Sequence, residues 1–255
     1  MLLSRAKRQT FSVMRMTTIS ISGTTTISTF LPSSANPPRQ VKWRFTNRAD
    51  GDLAVSGDPT ELAERRARVV PGRWTWLCQV HSSTVLIVQR PGDACGQGAD
   101  GVVTSASGAI LAVHGADCAP VLCWTSDGAV IGAAHAGWRG LKEGVLQSLV
   151  DAMRRATSQA YVHAVLGPCI HSECYEFGEA ELATMVARYG PTLAARTAQG
   201  GLSLDLVAGV VAALAEVDVT VDTSASRCTA CSSDLFSWRA RQDSGRHAGV
   251  IWLES

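Results

Sequence analysis

The sequence predicts a mixed-sheet α/β domain, on three observations. From Val41 onward strand-like and helix-like segments alternate irregularly, which favours a mixed sheet over a regular doubly wound one. Apolar residues make up 46% of the 255 and charged residues 18%, enough to bury a sizeable core. The longest apolar stretches, residues 111–124 and 204–217, are interrupted by His, Asp or Glu and fall short of the ~20 residues of a membrane span.

Residues 42–46 alternate like a strand. Residues 58–69 read as a helix opened by Asp58-Pro59-Thr60-Glu61, which supplies a cap and puts proline in the first turn. Residues 84–89, 101–104 and 110–113 read as strands, and 121–124 with 130–134 as a hairpin through Ser126-Asp127-Gly128. The clearest helix is 140–157. Leu141, Val145, Leu149 and Met153 recur every four residues there, with Lys142, Glu143, Gln147, Asp151 and Arg154 elsewhere. Residues 161–166 form a strand, and 179–189 and 204–216 form helices, the first stopped by Gly190-Pro191. Strands at 217–222, 235–239 and 250–253 close the chain, and no internal repeat is present.

Charge is unevenly spread. No Asp or Glu precedes Asp50, whereas eight Lys or Arg do, so the remainder carries 15 basic and 22 acidic residues. That acidic body is a poor match for nucleic acid, and no membrane partner is expected. Residues 1–38 read as a disordered, basic, Ser/Thr-rich leader. It is expected to be a tail or an upstream start, with Met14 and Met16 also available, or else an organelle transit peptide; a secretory signal fits least, because no clean apolar core is followed by a small-residue cleavage site. The catalytic domain is expected over 39–255, in the cytoplasm, with nothing contributed to the site by the leader.

Eight cysteines in a chain this long suggest reduced thiols, some of them ligands or nucleophiles, rather than a disulfide framework. Cys228-x-x-Cys231 has ligand spacing, but no second CxxC or HxxxH completes a zinc ribbon. Gly137-Trp138-Arg139-Gly140 lacks the Lys-Ser/Thr of a P-loop and the third glycine of a dinucleotide fingerprint. The chemistry concentrates in Gln79-Val80-His81, in Ala116-Asp117-Cys118-Ala119-Pro120-Val121, and in Ala134-His135-Ala136-Gly137-Trp138-Arg139-Gly140. On residue types alone these indicate an α/β enzyme of Cys/His chemistry.

These three blocks, in this order, resemble the laccase-domain family, also called the YfiH-like or peptidoglycan-editing-factor family. The resemblance runs on through Gly167-Pro168-Cys169-Ile170, Cys174-Tyr175-Glu176-Phe177, Cys228-Thr229, Phe236-Ser237-Trp238-Arg239 and Gly245-Arg246. It implies a single α/β/α-layered domain, like that of the cytotoxic necrotizing factor catalytic domain, and one zinc held by His81, Cys118 and His135. Members are described as purine nucleoside phosphorylases that also deaminate adenosine and phosphorolyse methylthioadenosine. An older description is a copper-dependent polyphenol oxidase. The implied partners are therefore purine nucleosides and phosphate; the oligomeric state is left open.

Three ligands with an open fourth position suit a catalytic zinc rather than a structural one. Asp117 is a candidate proton shuttle or support for Cys118, and equally a turn residue binding backbone amides. Arginine forks suit phosphate. Arg239 and Arg246 are the candidates for binding it, with Arg139 expected to be structural. Departures from the family pattern are Ser82 for a usual Gly, Trp238 for a usual Tyr, and Ala240 for a second Arg, for which the adjacent Arg241 is a candidate substitute. Residues 50–56 are also shorter than usual. Three alternatives stand beside this reading. One is a metal-free cysteine hydrolase or deamidase using Cys118 and His135. The others are copper oxidation and a non-enzymatic role in peptidoglycan editing.

Overall fold

The structure, a computed structural model, describes residues 17–21, 25–29, 40–157 and 161–254. In the basic leader, β1 (Thr17–Ile21) and β2 (Thr25–Thr29) pair antiparallel. The rest of the leader, and the disorder expected of it, lies outside the described residues.

The body begins at β3 (Val41–Phe45) and α1 (Pro59–Val69). Asp58 caps this helix by accepting from the Thr60 and Glu61 amides at 2.9 and 3.0 Å, as its opening residues predict. Six strands follow: β4 (Trp74–Trp76), β5 (Val85–Val88), β6 (Gly101–Thr104), β7 (Ile110–Gly115), β8 (Ala119–Thr125) and β9 (Ile131–Ala136). The β8–β9 hairpin turns where expected, with Gly128 at φ 65° and its N–H donating to the Thr125 carbonyl at 2.8 Å.

The helix expected over 140–157 is two helices, α2 (Trp138–Glu143) and α3 (Val145–Ala156). Gly144 divides them. It sits at φ 88°, and its N–H caps the Gly140 and Leu141 carbonyls, which ends the first helix before the second begins. Leu141, Val145, Leu149 and Met153 are nevertheless all fully buried, because the two helices keep one apolar side.

Then come β10 (Val162–Leu166), α4 (Glu179–Tyr189), β11 (Ala194–Arg196), β12 (Leu202–Leu204), α5 (Leu206–Ala215), β13 (Val221–Asp222), α6 (Trp238–Arg241) and β14 (His247–Leu253). The strand expected at 235–239 is instead a cap and a helical turn. The Ser237 hydroxyl accepts from the Ala240 amide at 3.2 Å and starts α6. The strand expected at 217–222 shrinks to two residues, and β4, β11 and β12 are too short to show a period.

The mixed α/β class holds, but the strands divide between two main sheets. The larger runs β13-β10-β8-β9-β6-β5 and the smaller β3-β14-β7-β4, each with parallel and antiparallel pairs. Strand alternation shows how they stack. On β8, Val121 and Cys123 join the core containing α3 and α5, whereas Leu122 and Trp124 join a core shared with Ile251 and Leu253 of β14. On the opposite face of β14, Ala248 and Val250 pack with Leu62 of α1. Helices therefore cover the outer side of each sheet. Among the described residues no helix is long and apolar enough to cross a membrane.

Candidate metal centre and cleft

Sheet register brings the three sequence blocks to one end of the larger sheet. Pro120 pairs with His135, so Cys118, just before β8, lies beside the end of β9. Gly101 pairs with Ala134 and with Val85, so Asp100 sits next to His135 and to the loop that carries His81. The ligating atoms of His81, Cys118 and His135 all lie within 4.8 Å of one another. The Cys118 Sγ is 3.8 Å from His81 Nε2, and the two imidazoles meet edge to face with ring centres 4.9 Å apart. A Cβ on Gly137 would sit 2.8 Å from His81 Cδ2 and 3.0 Å from Cys118 Sγ, so this position must remain glycine.

The residue that sequence reasoning missed is Asp100. It is fully buried, and both carboxylate oxygens are occupied. Oδ1 accepts from the His81 amide at 3.0 Å and pairs with His135 Nδ1 at 2.9 Å. Oδ2 accepts from the Val80 amide at 3.2 Å and from the Ser82 amide and hydroxyl at 2.6 and 3.1 Å. Three consecutive N–H groups thus wrap one carboxylate, and this nest holds His81 at φ 61°, left-handed backbone for a non-glycine residue. A carboxylate on Nδ1 leaves Nε2 of His135 as the free ligating nitrogen. A charged residue abutting the apolar strand Gly101–Thr104 was the available signal, since a buried carboxylate needs partners.

Electrostatics follow this geometry. Burial alone would raise the Asp100 pKa, but the His135 ring and the Ser82 and His81 amides hold it down to about 2. Burial likewise opposes a Cys118 thiolate, yet the His135 charge and hydrogen bonds from both histidines bring the thiol down to about 6. His135 moves the opposite way. Its burial is outweighed by Cys118 and Asp100, and its pKa rises to about 9. A low-pKa thiol and two imidazoles are the donor set that borderline and soft divalent ions prefer.

The trio opens onto a cavity of about 490 Å³, also lined by Gln79, His114, Trp238 and Arg246. Gln79 holds its loop to β7: its amide donates to the His114 carbonyl at 2.7 Å and accepts from the His114 amide at 2.8 Å. Burial drives His114 down to about 3, so its ring is neutral. Trp238 is 56% exposed, an indole face open to the cleft.

The other candidates fall in different places. Asp117 is buried away from the cavity lining. Its Oδ1 accepts from the Thr229 and Ser237 hydroxyls, each at 2.6 Å, and its Oδ2 from the Arg239 amide at 2.6 Å, so it ties the C-terminal segment to the Cys118 loop. Arg239 donates to the Glu176 carbonyl at 2.9 Å and lies over the Tyr175 ring. Arg139 is exposed and stacks on Trp138. Of the three arginines only Arg246 lines the cavity.

A family model described as multi-copper polyphenol oxidoreductase laccase matches residues 44–254. The chain belongs to this family. A Streptomyces coelicolor protein named purine nucleoside phosphorylase is 39% identical over 209 residues, spanning 79% of this chain and 86% of that protein. A Corynebacterium glutamicum protein of the same name is 34% identical over 235 residues, spanning 84% and 95%. A Neisseria meningitidis protein of family DUF152 has a crystal structure that superposes with TM-score 0.74 at 28% identity, covering 89% of this chain and 99% of that one. Bacillus licheniformis YfiH superposes with TM-score 0.72 at 23% identity, covering 86% and 98%, a likeness of fold alone. The trio and the laccase-like family together point to a metal at this site.

In this laccase-family chain the departures from pattern have visible uses. Ser82 adds a hydroxyl bond to Asp100. Arg241, next to Ala240, is structural: its guanidinium donates to the Ala230, Thr229 and Leu235 carbonyls. Asp243 accepts from Arg48, from Arg241 and from the Ser237 amide, fixing the loop between Trp238 and Arg246. Burial would raise Asp243, but these partners depress it from 3.8 to about 2. A depressed carboxylate stabilises the fold above its unfolded pKa, and that stability is lost as pH falls through the folded value. The melting temperature of wild type should therefore exceed that of Asp243→Asn at pH 6, with the difference closing between about pH 4 and pH 2. A difference independent of pH would show that the charge of Asp243 is not what matters.

Proposed function

We propose that the protein is a zinc-dependent purine nucleoside phosphorylase acting on adenosine, inosine and methylthioadenosine, with adenosine deamination as a second activity. The observation that carries this reading is the shared cavity. One side carries a metal trio set by Asp100, and the same lining holds an arginine and an open indole. In the reaction phosphate bonds to C1′ of the ribose as the bond from C1′ to N9 breaks. The electron pair leaves with the purine, which takes up a proton from solvent. Arg246 holds the phosphate, because a guanidinium fork matches its oxygens. Trp238 stacks on the purine, since indole offers a flat apolar face. His114 adds a neutral ring to the same lining, with both ring nitrogens buried and without a hydrogen-bond partner among the described residues. His81, Cys118 and His135 would hold the zinc, which when bound supplies Lewis acidity beside the bond being broken.

Metal analysis together with chromatography of adenosine, inosine and methylthioadenosine, with and without phosphate, tests the whole reading. Release of free purine and ribose phosphate only when phosphate is present supports it. Turnover independent of both phosphate and metal overturns it. Arg246→Ala should raise the phosphate KM by roughly 10–100-fold, the equivalent of one charged hydrogen bond, while zinc content and deamination change little. Arg239→Ala should not. Equal losses in both reactions would mean that Arg246 only supports its loop, where its Nη1 donates to the Asp243, Ser244 and Gly245 carbonyls.

A second reading draws on a specific observation. Cys118, His135 and Asp100 form a thiol, imidazole and carboxylate series with the thiol pKa lowered, the arrangement of a cysteine hydrolase. In that case chelation leaves activity intact and alkylation of Cys118 abolishes it.

A further inference from the structure

A second cluster of soft ligands lies outside the cleft lining. The CxxC at Cys228 and Cys231 has no matching pair in sequence, but the fold supplies one from a different element. Glu173 and Cys174 stand on the turn Ser172–Cys174, and their ligand atoms and those of Cys228 and Cys231 all lie within 4.8 Å of one another. We propose that Cys174, Cys228, Cys231 and Glu173 form a second metal site, structural in kind and selective for a thiophilic divalent ion, zinc foremost.

The backbone assembles this site before any ion is considered. Cys169 and Cys228 form a parallel bridge, with the Thr229 amide donating to the Cys169 carbonyl at 3.0 Å and the Cys169 amide to the Arg227 carbonyl at 3.2 Å. That bridge lays the 228–231 turn beside the 171–174 turn. The Ser232 amide closes the 228–231 turn on the Cys228 carbonyl at 3.1 Å, which brings Cys228 and Cys231 round to the same side. Burial pushes the Cys228 thiol up, and the His171 amide, pointing at Cys228 Sγ from 3.5 Å, opposes that rise.

The spacings are close to those of a four-ligand centre, with one sulfur pair about half an ångström tighter than an ideal tetrahedron. With metal–sulfur bonds of about 2.3 Å, neighbouring sulfurs stand about 3.8 Å apart. Cys174 Sγ and Cys231 Sγ are 3.3 Å apart, and Cys231 Sγ is 3.6 Å from Glu173 Oε1. A disulfide would need about 2.05 Å, and none of the eight cysteines is disulfide-bonded. Three thiolates and a carboxylate fill four positions and leave none open, which distinguishes this centre from the trio in the cleft. Its consequence reaches the cleft through Thr229, which lies between the two CxxC cysteines and donates its hydroxyl to Asp117, the neighbour of Cys118. An ion here would brace the turn on which that contact stands.

The test is metal content of the purified full-length chain after saturation with zinc and desalting. Wild type should hold two zinc ions per chain, and Cys118→Ser should hold one. The double variant Cys118→Ser/Cys231→Ser should hold none. Cobalt loaded into Cys118→Ser should give an intense thiolate-to-cobalt charge-transfer band, which the cleft trio cannot produce once its only thiol is gone. Should the double variant fail to fold, alkylation mapped by mass spectrometry on wild type gives the same answer. Cys174, Cys228 and Cys231 should be protected in the zinc-loaded protein and modified together after chelation. The proposal is overturned if Cys118→Ser binds no metal and shows no cobalt–thiolate band. A Cys174–Cys231 disulfide in peptides from unreduced protein overturns it too. None of these readouts depends on purine chemistry.

Discussion

Cys118→Ser should empty the cleft site of zinc and abolish phosphorolysis while leaving the fold intact. Serine keeps the shape of the side chain but offers a hydroxyl that stays protonated near neutral pH, where the native thiol, at about 6, is already largely thiolate. An imidazole brings no negative charge to a metal, so without the thiolate the centre loses its one anionic ligand. A Lewis acid contributes several kcal/mol of transition-state stabilisation, and each 1.36 kcal/mol is tenfold in rate. The expected loss in kcat/KM is on the order of a thousandfold. Metal content and inosine cleavage in saturating phosphate, measured on the same preparation, check it. Retention of zinc at the cleft together with wild-type turnover would remove Cys118 from the ligand set. Loss of turnover with no effect of chelators on wild type would favour the cysteine-hydrolase reading instead.

Most of what the sequence made legible is periodic or punctuated. The helix Glu179–Tyr189 and the strand Gly101–Thr104 match their expected limits residue for residue, because Gly190-Pro191 stops the first and an unbroken apolar run marks the second. The convergence of His81, Cys118 and His135 was legible for a different reason: each of the three residues lies in a motif, and no geometry had to be inferred. Features that depend on contacts between distant residues were not legible. The helix expected over 140–157 runs through Gly144, and only the cap that Gly144 makes with the Gly140 and Leu141 carbonyls shows that two helices meet there. The division of strands between two sheets depends on which face of β8 and β14 meets which layer, and apolar runs buried on both faces do not encode that. Cys228 and Cys231 appeared half-complete because their partners, Glu173 and Cys174, come from another turn, with Cys174 57 residues before Cys231.

Asp100 gives the sharpest test of how this centre is built. Its carboxylate is fully buried, takes three consecutive backbone amides and the Ser82 hydroxyl, and orients His135. Asp100→Ala leaves those donors without acceptors in a dry interior and leaves His81 in its left-handed conformation with nothing to hold it there. Removing one partner of a buried charged pair costs about 3–5 kcal/mol. In a chain of this size that is a fall in melting temperature of roughly 6–20 °C. Asp100→Asn separates stability from ligand orientation. Its carbonyl oxygen still accepts from the amides, so its melting temperature should fall less. Its NH₂ group faces donors instead of accepting from them, and the negative charge that fixes the His135 tautomer is gone. Zinc affinity at the cleft should drop by about 10–100-fold, the usual effect of removing a carboxylate behind a metal-bound histidine. Chelator competition on the folded variant measures this directly. Tight zinc binding in Asp100→Asn, or a melting temperature for Asp100→Ala within a degree or so of wild type, would show that the Val80–Ser82 loop holds its ligand without the buried carboxylate.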